Sequence, residues 1–227
     1  YSTLLVDLDP QGNASQYLLG EDFEEIEQSA GGFFGDLLRF RGTDNAATDY
    51  VTSTIFPDLS VMASAPDLNE MEAKLSAKHK IYKLREALIE LGNEFDAIYI
   101  DTPPAFNFFS LSALIAAEGC LIPFDCDDFS RRSLYQLIEN VEETRGDHNE
   151  DLHVEGIVIN QFMSRARLPR MLVEELCDEG LPVLDTRLSA SVKMRESHEQ
   201  AMPLIHLAPR HKLTGEFVAL FEELRQD

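Results

Sequence analysis

Six short runs rich in Val, Ile, Leu and Tyr, separated by segments of helical periodicity, limit the folds open to this chain. They are TLLVDLD (3–9), LSVMAS (59–64), DAIYID (96–101), GCLIPFD (119–125), VEGIVINQF (154–162) and LPVLDTRLS (181–189). Runs apolar on both faces are what a parallel sheet covered by helices on either side requires. The intervening periodicity predicts helices over 67–92, 130–146, 168–180 and 214–227. Asp67 and Ser130 stand as caps, Pro169 lies in a first turn, and Gly92, Gly146 and Gly180 act as stops. Residues 20–58 read as loops around one short helix at GGFFGDLLRF. Strand and helix in alternation build βαβ units and hence a doubly wound, mostly parallel α/β sheet flanked by helices. No linker, internal repeat or low-complexity segment interrupts the 227 residues, so 1–227 reads as a single domain.

The longest apolar stretch, LSALIAAEGCLIPF from Leu111, is broken by Glu118 and Gly119 and is too short to span a bilayer. Three cysteines, Cys120, Cys126 and Cys177, lack CxxC spacing and read as reduced core thiols of a cytoplasmic protein. A net charge of −22 repels polyanions, so any DNA contact requires a local basic patch.

In open parallel sheets, ligands sit at the carboxyl ends of strands. Asp7 and Asp9 end the first run, and Asp101 ends DAIYID before Thr102-Pro103-Pro104. Three such carboxylates suit a divalent cation and the positioning of water. A haloacid-dehalogenase-like phosphatase would follow DxDx with Thr or Val, where this chain has Gln11. A receiver domain would place a Lys on a later strand, where CLIPFD and GIVINQF have none. Phosphoryl transfer from a nucleotide is the remaining use, with one carboxylate near Mg²⁺ and another orienting water.

Here LLVDLDPQGNAS followed by FDAIYIDTPPAFN resembles the ParA/Soj group of deviant-Walker partition ATPases, with their P-loop NTPase-like fold. The similarity continues through IPFDCDDFS, GIVINQF and SVKMRES to the C-terminus. The resemblance implies that Asp9 orients the attacking water, that Asp7 lies beside the phosphate loop, and that Asp101 is the Walker B residue holding Mg²⁺ through water. It places Asn160 at the adenine and Gln11 and Pro103 in the nucleotide site. It implies ATP/ADP and Mg²⁺ as ligands and a nucleotide-dependent homodimer whose hydrolysis a ParB-like partner stimulates. It further implies partition of plasmid, chromosome or other cargo in the bacterial cytoplasm, with nucleoid association if DNA binding holds. Lys193, Arg195 and Arg210 are the candidate DNA contacts. Departures from the family pattern are Ser133 in place of a glycine, Arg131 and Arg132 beside it, and Ser189-Ala190 where Pro-Arg is common.

The family's KGGxGKT[ST] phosphate loop has no counterpart here, because none of the lysines follows a glycine. By family spacing, the first strand, that loop and the first helix would precede Tyr1. The intact protein is then expected to be an ATPase. Residues 1–227 alone are expected to bind ATP·Mg²⁺ weakly, to hydrolyse it little or not at all, and to expose two unpaired strand edges. The alternative is a non-catalytic interaction module that keeps the fold. A MinD-like membrane-positioning ATPase shares the fold but ends in a basic amphipathic helix, whereas GEFVALFEELRQD is acidic, so no membrane contact is expected. Phe106, Phe108 and Phe109 read as packing under the helix after Asp101. His198, His206 and His211 lack metal spacing.

Overall fold

A computed structural model describes residues 1–40 and 44–225. By internal packing the chain divides into two compact units, Tyr1–Ala117 and Glu118–Asp227.

The first unit runs β1 (Thr3–Asp7), α1 (Asn13–Leu19), α2 (Ala30–Leu38), β2 (Thr52–Ser53), β3 (Leu59–Met62), α3 (Leu68–Ala77), α4 (Lys83–Leu91), β4 (Ala97–Asp101) and α5 (Phe108–Ala116). Its sheet has the order β2-β3-β1-β4. β1 lies between β3 and β4, parallel to both, and only the short β2 is antiparallel. The register sets Asp7 opposite Asp101, so the ends of two apolar runs coincide in space. Leu4, Val6, Leu8 and Met62 are fully buried, as a central parallel strand and its neighbour require.

The second unit runs β5 (Gly119–Asp125), α6 (Asp128–Asp147), β6 (His153–Phe162), α7 (Arg167–Asp178), β7 (Val183–Ser189), α8 (Val192–Glu199), α9 (Leu204–Leu207) and α10 (Lys212–Glu223). Its sheet, β5-β6-β7, is wholly parallel. Central β6 uses both faces. Ile157 and Ile159 pack with Ile122, Leu134 and Leu176, while Val158 on the other face packs with Leu213 and Leu220. The edge strand β7 is sealed by α10. Glu223 accepts hydrogen bonds from the Asp185 and Thr186 N–H groups, and Glu216 accepts from the Ser189 N–H and Oγ. Burial pushes the Glu216 carboxyl up, but Lys212 and Ser189 outweigh it and hold the group below its ordinary range.

Several sequence expectations are corrected. The helix predicted over 67–92 is two helices, because His79 adopts φ 53° and ends α3 in a Schellman motif. The His79 N–H bonds the Ser76 carbonyl and the Lys80 N–H bonds the Leu75 carbonyl. Asp67 makes no side-chain cap. At α6 the capping side chain is Asp127, which accepts from the Ser130 N–H at 2.8 Å, so Ser130 is inside the helix. α10 starts at Lys212, with His211 Nδ1 accepting from the Leu213 N–H. Cys177 is exposed and so is not a core thiol, whereas Cys120 and Cys126 are half-buried against the core of the second sheet. Phe108 and Phe109 do pack inward, but in α5 itself, and Phe106 is exposed.

Candidate functional site

Asp7 closes β1 and is fully buried. Its Oδ2 accepts from the Ser15 N–H at 2.9 Å and the Ser15 hydroxyl at 2.7 Å, and its Oδ1 accepts from the Asp9 N–H at 3.1 Å. Ser15 is in the first turn of α1, so a helix N-terminus faces the carboxylate. Ser15 Oγ also accepts from the Ser64 N–H at 2.8 Å, which ties the residue after β3 into the same network. Burial pushes the Asp7 carboxyl above its ordinary value, and the Ser15 and Asp9 donors offset this only in part.

Asp9 is fixed by a tight turn. Its carbonyl accepts from the Gly12 N–H at 2.8 Å and from Ser64 Oγ at 2.5 Å, and its Oδ1 accepts from the Gln11 N–H at 3.0 Å. Gly12 closes the turn in the left-handed region at φ 63°, and a Cβ there would meet the Phe23 ring at 2.4 Å. Only glycine satisfies both conditions. Asp9 is half-buried, and its Oδ2 makes no hydrogen bond among the described residues. The Gln11 side chain is exposed, so Gln11 acts on the site through its backbone.

Asp101 lies beside Asp7 on β4, and its carbonyl accepts from the Leu8 N–H at 2.9 Å. Burial around the strand end, then the charges of Asp7 and Asp9, push its carboxyl up to about 6, although its side chain reaches solvent. Pro103 is buried in the following turn. Asn107 caps α5 by accepting from the Phe109 and Ser110 N–H groups at 3.0 and 3.1 Å.

Among the described residues no Lys or Arg pairs with Asp7, Asp9 or Asp101. Nor do three His, Cys, Asp or Glu side chains converge to cage a metal. Asp7 has spent both oxygens on hydrogen bonds, which leaves Asp101 as the carboxylate able to face a hydrated cation. A magnesium ion held through water by Asp101 fits this arrangement and would relieve the crowding of like charge; one caged directly by three carboxylates does not.

The crowding predicts a pH effect. Folded Asp101 titrates at about 6 against an ordinary 3.8, so between those values the folded chain holds the extra proton. Asp101 therefore favours folding fully below that window, and the benefit is lost as pH rises through it. Asp101→Asn should leave stability unchanged near pH 4 and raise it at pH 7 by about 1 kcal/mol once solvent screening is allowed for. Urea unfolding at the two pH values checks this, and equal stability of both proteins at pH 7 would contradict it.

In the second unit, Asn160 ends the apolar part of β6 opposite Asp125. Its Nδ2 donates to Asp125 Oδ1 at 3.0 Å, and Gln161 Nε2 donates to Asp125 Oδ2 at 3.1 Å. Sequence reasoning missed Asp125, Ser15 and Ser64. Aligning strand ends would have found Ser64, because Val6 registers with Met62 and the residues beyond them run side by side. Of the candidate DNA contacts, Lys193 pairs with Glu196 at 2.5 Å, while Arg195 and Arg210 are exposed. Arg131 is paired with Glu175 and Glu179 and hydrogen-bonded to Tyr135, so its charge is already compensated. Among the described residues no helix is long and apolar enough to cross a membrane.

A family model described as an AAA domain matches residues 1–154. The chromosome partitioning protein ParA of Myxococcus xanthus is 33% identical over 226 residues, covering 98% of this chain and 76% of that protein. The sporulation initiation inhibitor protein Soj of Bacillus subtilis is 27% identical over 223 residues, covering 97% and 85%. Cobyrinic acid a,c-diamide synthase from Mycobacterium smegmatis, solved with bound ATP analog and magnesium, superposes with a TM-score of 0.72 at 27% identity, covering 88% of this chain and 80% of that one. Strand-end carboxylates in a parallel α/β fold, sequence identity along almost the whole chain and this structural likeness agree: the chain belongs to the ParA/MinD-type P-loop partition ATPases.

Proposed function

We propose that the protein is an ATP-driven partition switch in which the carboxyl ends of β1 and β4 handle the terminal phosphate. The observation that carries this reading is the fixing of Asp9. Its backbone is held by Gly12 and Ser64, one carboxylate oxygen is tied to the Gln11 N–H, and the other is left to accept a proton from water. A base so held needs no reorganisation before it orients an attacking water. Asp7 is the brace, buried and spent on Ser15, that fixes the turn carrying Asp9. Asp101 holds Mg²⁺ through water, and the ion neutralises charge on the phosphates. Asn160 contacts the adenine, and Pro103 shapes the turn behind Asp101. The ligands of the Mycobacterium smegmatis enzyme support ATP and Mg²⁺ as ligands here.

The family membership supports the remaining parts of the proposal. Nucleotide binding shifts a monomer–dimer equilibrium, a ParB-like partner stimulates hydrolysis, and the dimer positions DNA or other cargo in the cytoplasm. Arg195 and Arg210 are the DNA contacts, with Lys193 available once it leaves Glu196.

With no cation among the described residues paired to the three carboxylates, the chain should bind MgATP weakly and turn it over slowly, so turnover is measured at millimolar nucleotide. Asp9→Ala should lower turnover by about 10²-fold or more and leave MgATP affinity unchanged. Hydrolysis that survives Asp9→Ala would overturn the assignment. The same unneutralised carboxylates favour a second reading, a non-catalytic interaction module, and binding of ATP that shows no dependence on Mg²⁺ at any concentration would select it.

A further inference from the structure

α7 buries Pro169, Leu172, Val173 and Leu176 and turns Arg167, Arg170, Glu174 and Asp178 outward. Leu168 and Met171 lie among these charges, 49% and 39% exposed. None of the four charged groups has a partner among the described residues, and Arg170 and Glu174 make no ion pair although they are one turn apart. The helix's other carboxylate, Glu175, and the C-cap Glu179 are instead both held by Arg131.

The order of these charges is unfavourable in an isolated chain. Arginines stand at the positive end of the helix dipole and acids at the negative end, opposite to the arrangement that stabilises a helix. An antiparallel copy of the same helix reverses the relation, bringing acids to the N-terminal end and arginines to the C-terminal end. Such a face is self-complementary, as the isologous interface of a two-fold dimer must be.

We propose that two copies of the chain associate through α7, antiparallel about a two-fold axis. Arg167 and Arg170 of each copy face Asp178 and Glu174 of the other, and Leu168 and Met171 form the apolar seam. This contact requires no nucleotide and is independent of the ATP-dependent dimer proposed above.

Sedimentation equilibrium of the full chain without nucleotide, at low salt, tests it. The wild type should show a monomer–dimer equilibrium that weakens as ionic strength rises. Arg167→Glu/Arg170→Glu makes the face wholly acidic, and Glu174→Arg/Asp178→Arg makes it wholly basic. Each variant alone should need about tenfold or more higher concentration to dimerise, and an equimolar mixture of the two should recover association. All four positions are exposed, so loss of the fold does not account for the recovery. A wild type that remains monomeric, or a mixture that associates no better than either variant alone, overturns the proposal. Binding of duplex DNA or of an acidic peptide by a monomeric wild type, lost in Arg167→Glu/Arg170→Glu, would assign the face to that ligand instead.

Discussion

Phe109→Ala should lower the stability of the first unit by about 3–5 kcal/mol, read as a shift in the urea midpoint. Phe109 is fully buried and meets the Phe34 ring at 5.2 Å and the Phe108 ring at 5.4 Å, both edge to face. Phe34 in turn contacts Phe33 at 5.0 Å. The substitution removes one ring from a stack that links α2 to α5, and the surrounding helices cannot collapse fully into the space. Phe109→Leu keeps most of the volume and should cost less than about 1.5 kcal/mol. The cluster matters for the site because Phe109 lies in the first turn of α5, and that turn, with the Asn107 cap, anchors the segment leaving Asp101. A small effect of both substitutions would mean that the ring cluster does not hold this segment.

Ser15→Ala should be the most damaging single change at the carboxylate site that leaves all three aspartates in place, at about 2–4 kcal/mol. One hydroxyl donates to Asp7 and accepts from the Ser64 N–H, so its loss leaves a buried carboxylate short of a donor and a buried N–H without an acceptor. The sign with pH is also fixed. Ser15 stabilises charged Asp7, so without it the folded carboxyl rises further, and the deficit grows as pH increases through the range where Asp7 ionises. Unfolding of both proteins across that range checks it, and a deficit independent of pH would show that Ser15 acts on the backbone alone. Because Ser64 also holds the Asp9 carbonyl, the variant should loosen the proposed base as well.

The strands were legible because their residues leave little choice: LLV, IYI and GIVIN are apolar on both faces and end at charged or amide groups. The pairing of Asp7 with Asp101 followed from those ends coinciding in a parallel register. What remained hidden depends on distant or unusual local chemistry. Ser15 and Ser64 are 49 residues apart, and nothing in either neighbourhood signals their hydrogen bond. The break after α3 uses a histidine in the left-handed region, where glycine would have announced the stop, and good helix formers on both sides hide it. α1 was missed, and α5 was expected only as an unbounded helix after Asp101, for another reason: each is short, and α5 is buried nearly all round, so it lacks the amphipathic stripe that marks a surface helix.

The seal on β7 gives the second sheet a direction. An exposed strand edge is a template on which further strands can add. Glu216 and Glu223 occupy the outward N–H groups of Ser189, Asp185 and Thr186, so α10 acts as a chain terminator at that side. β5 carries Pro123, which removes one backbone donor from that strand. No further strand can therefore add to this sheet at those β7 donors, which two carboxylates already hold.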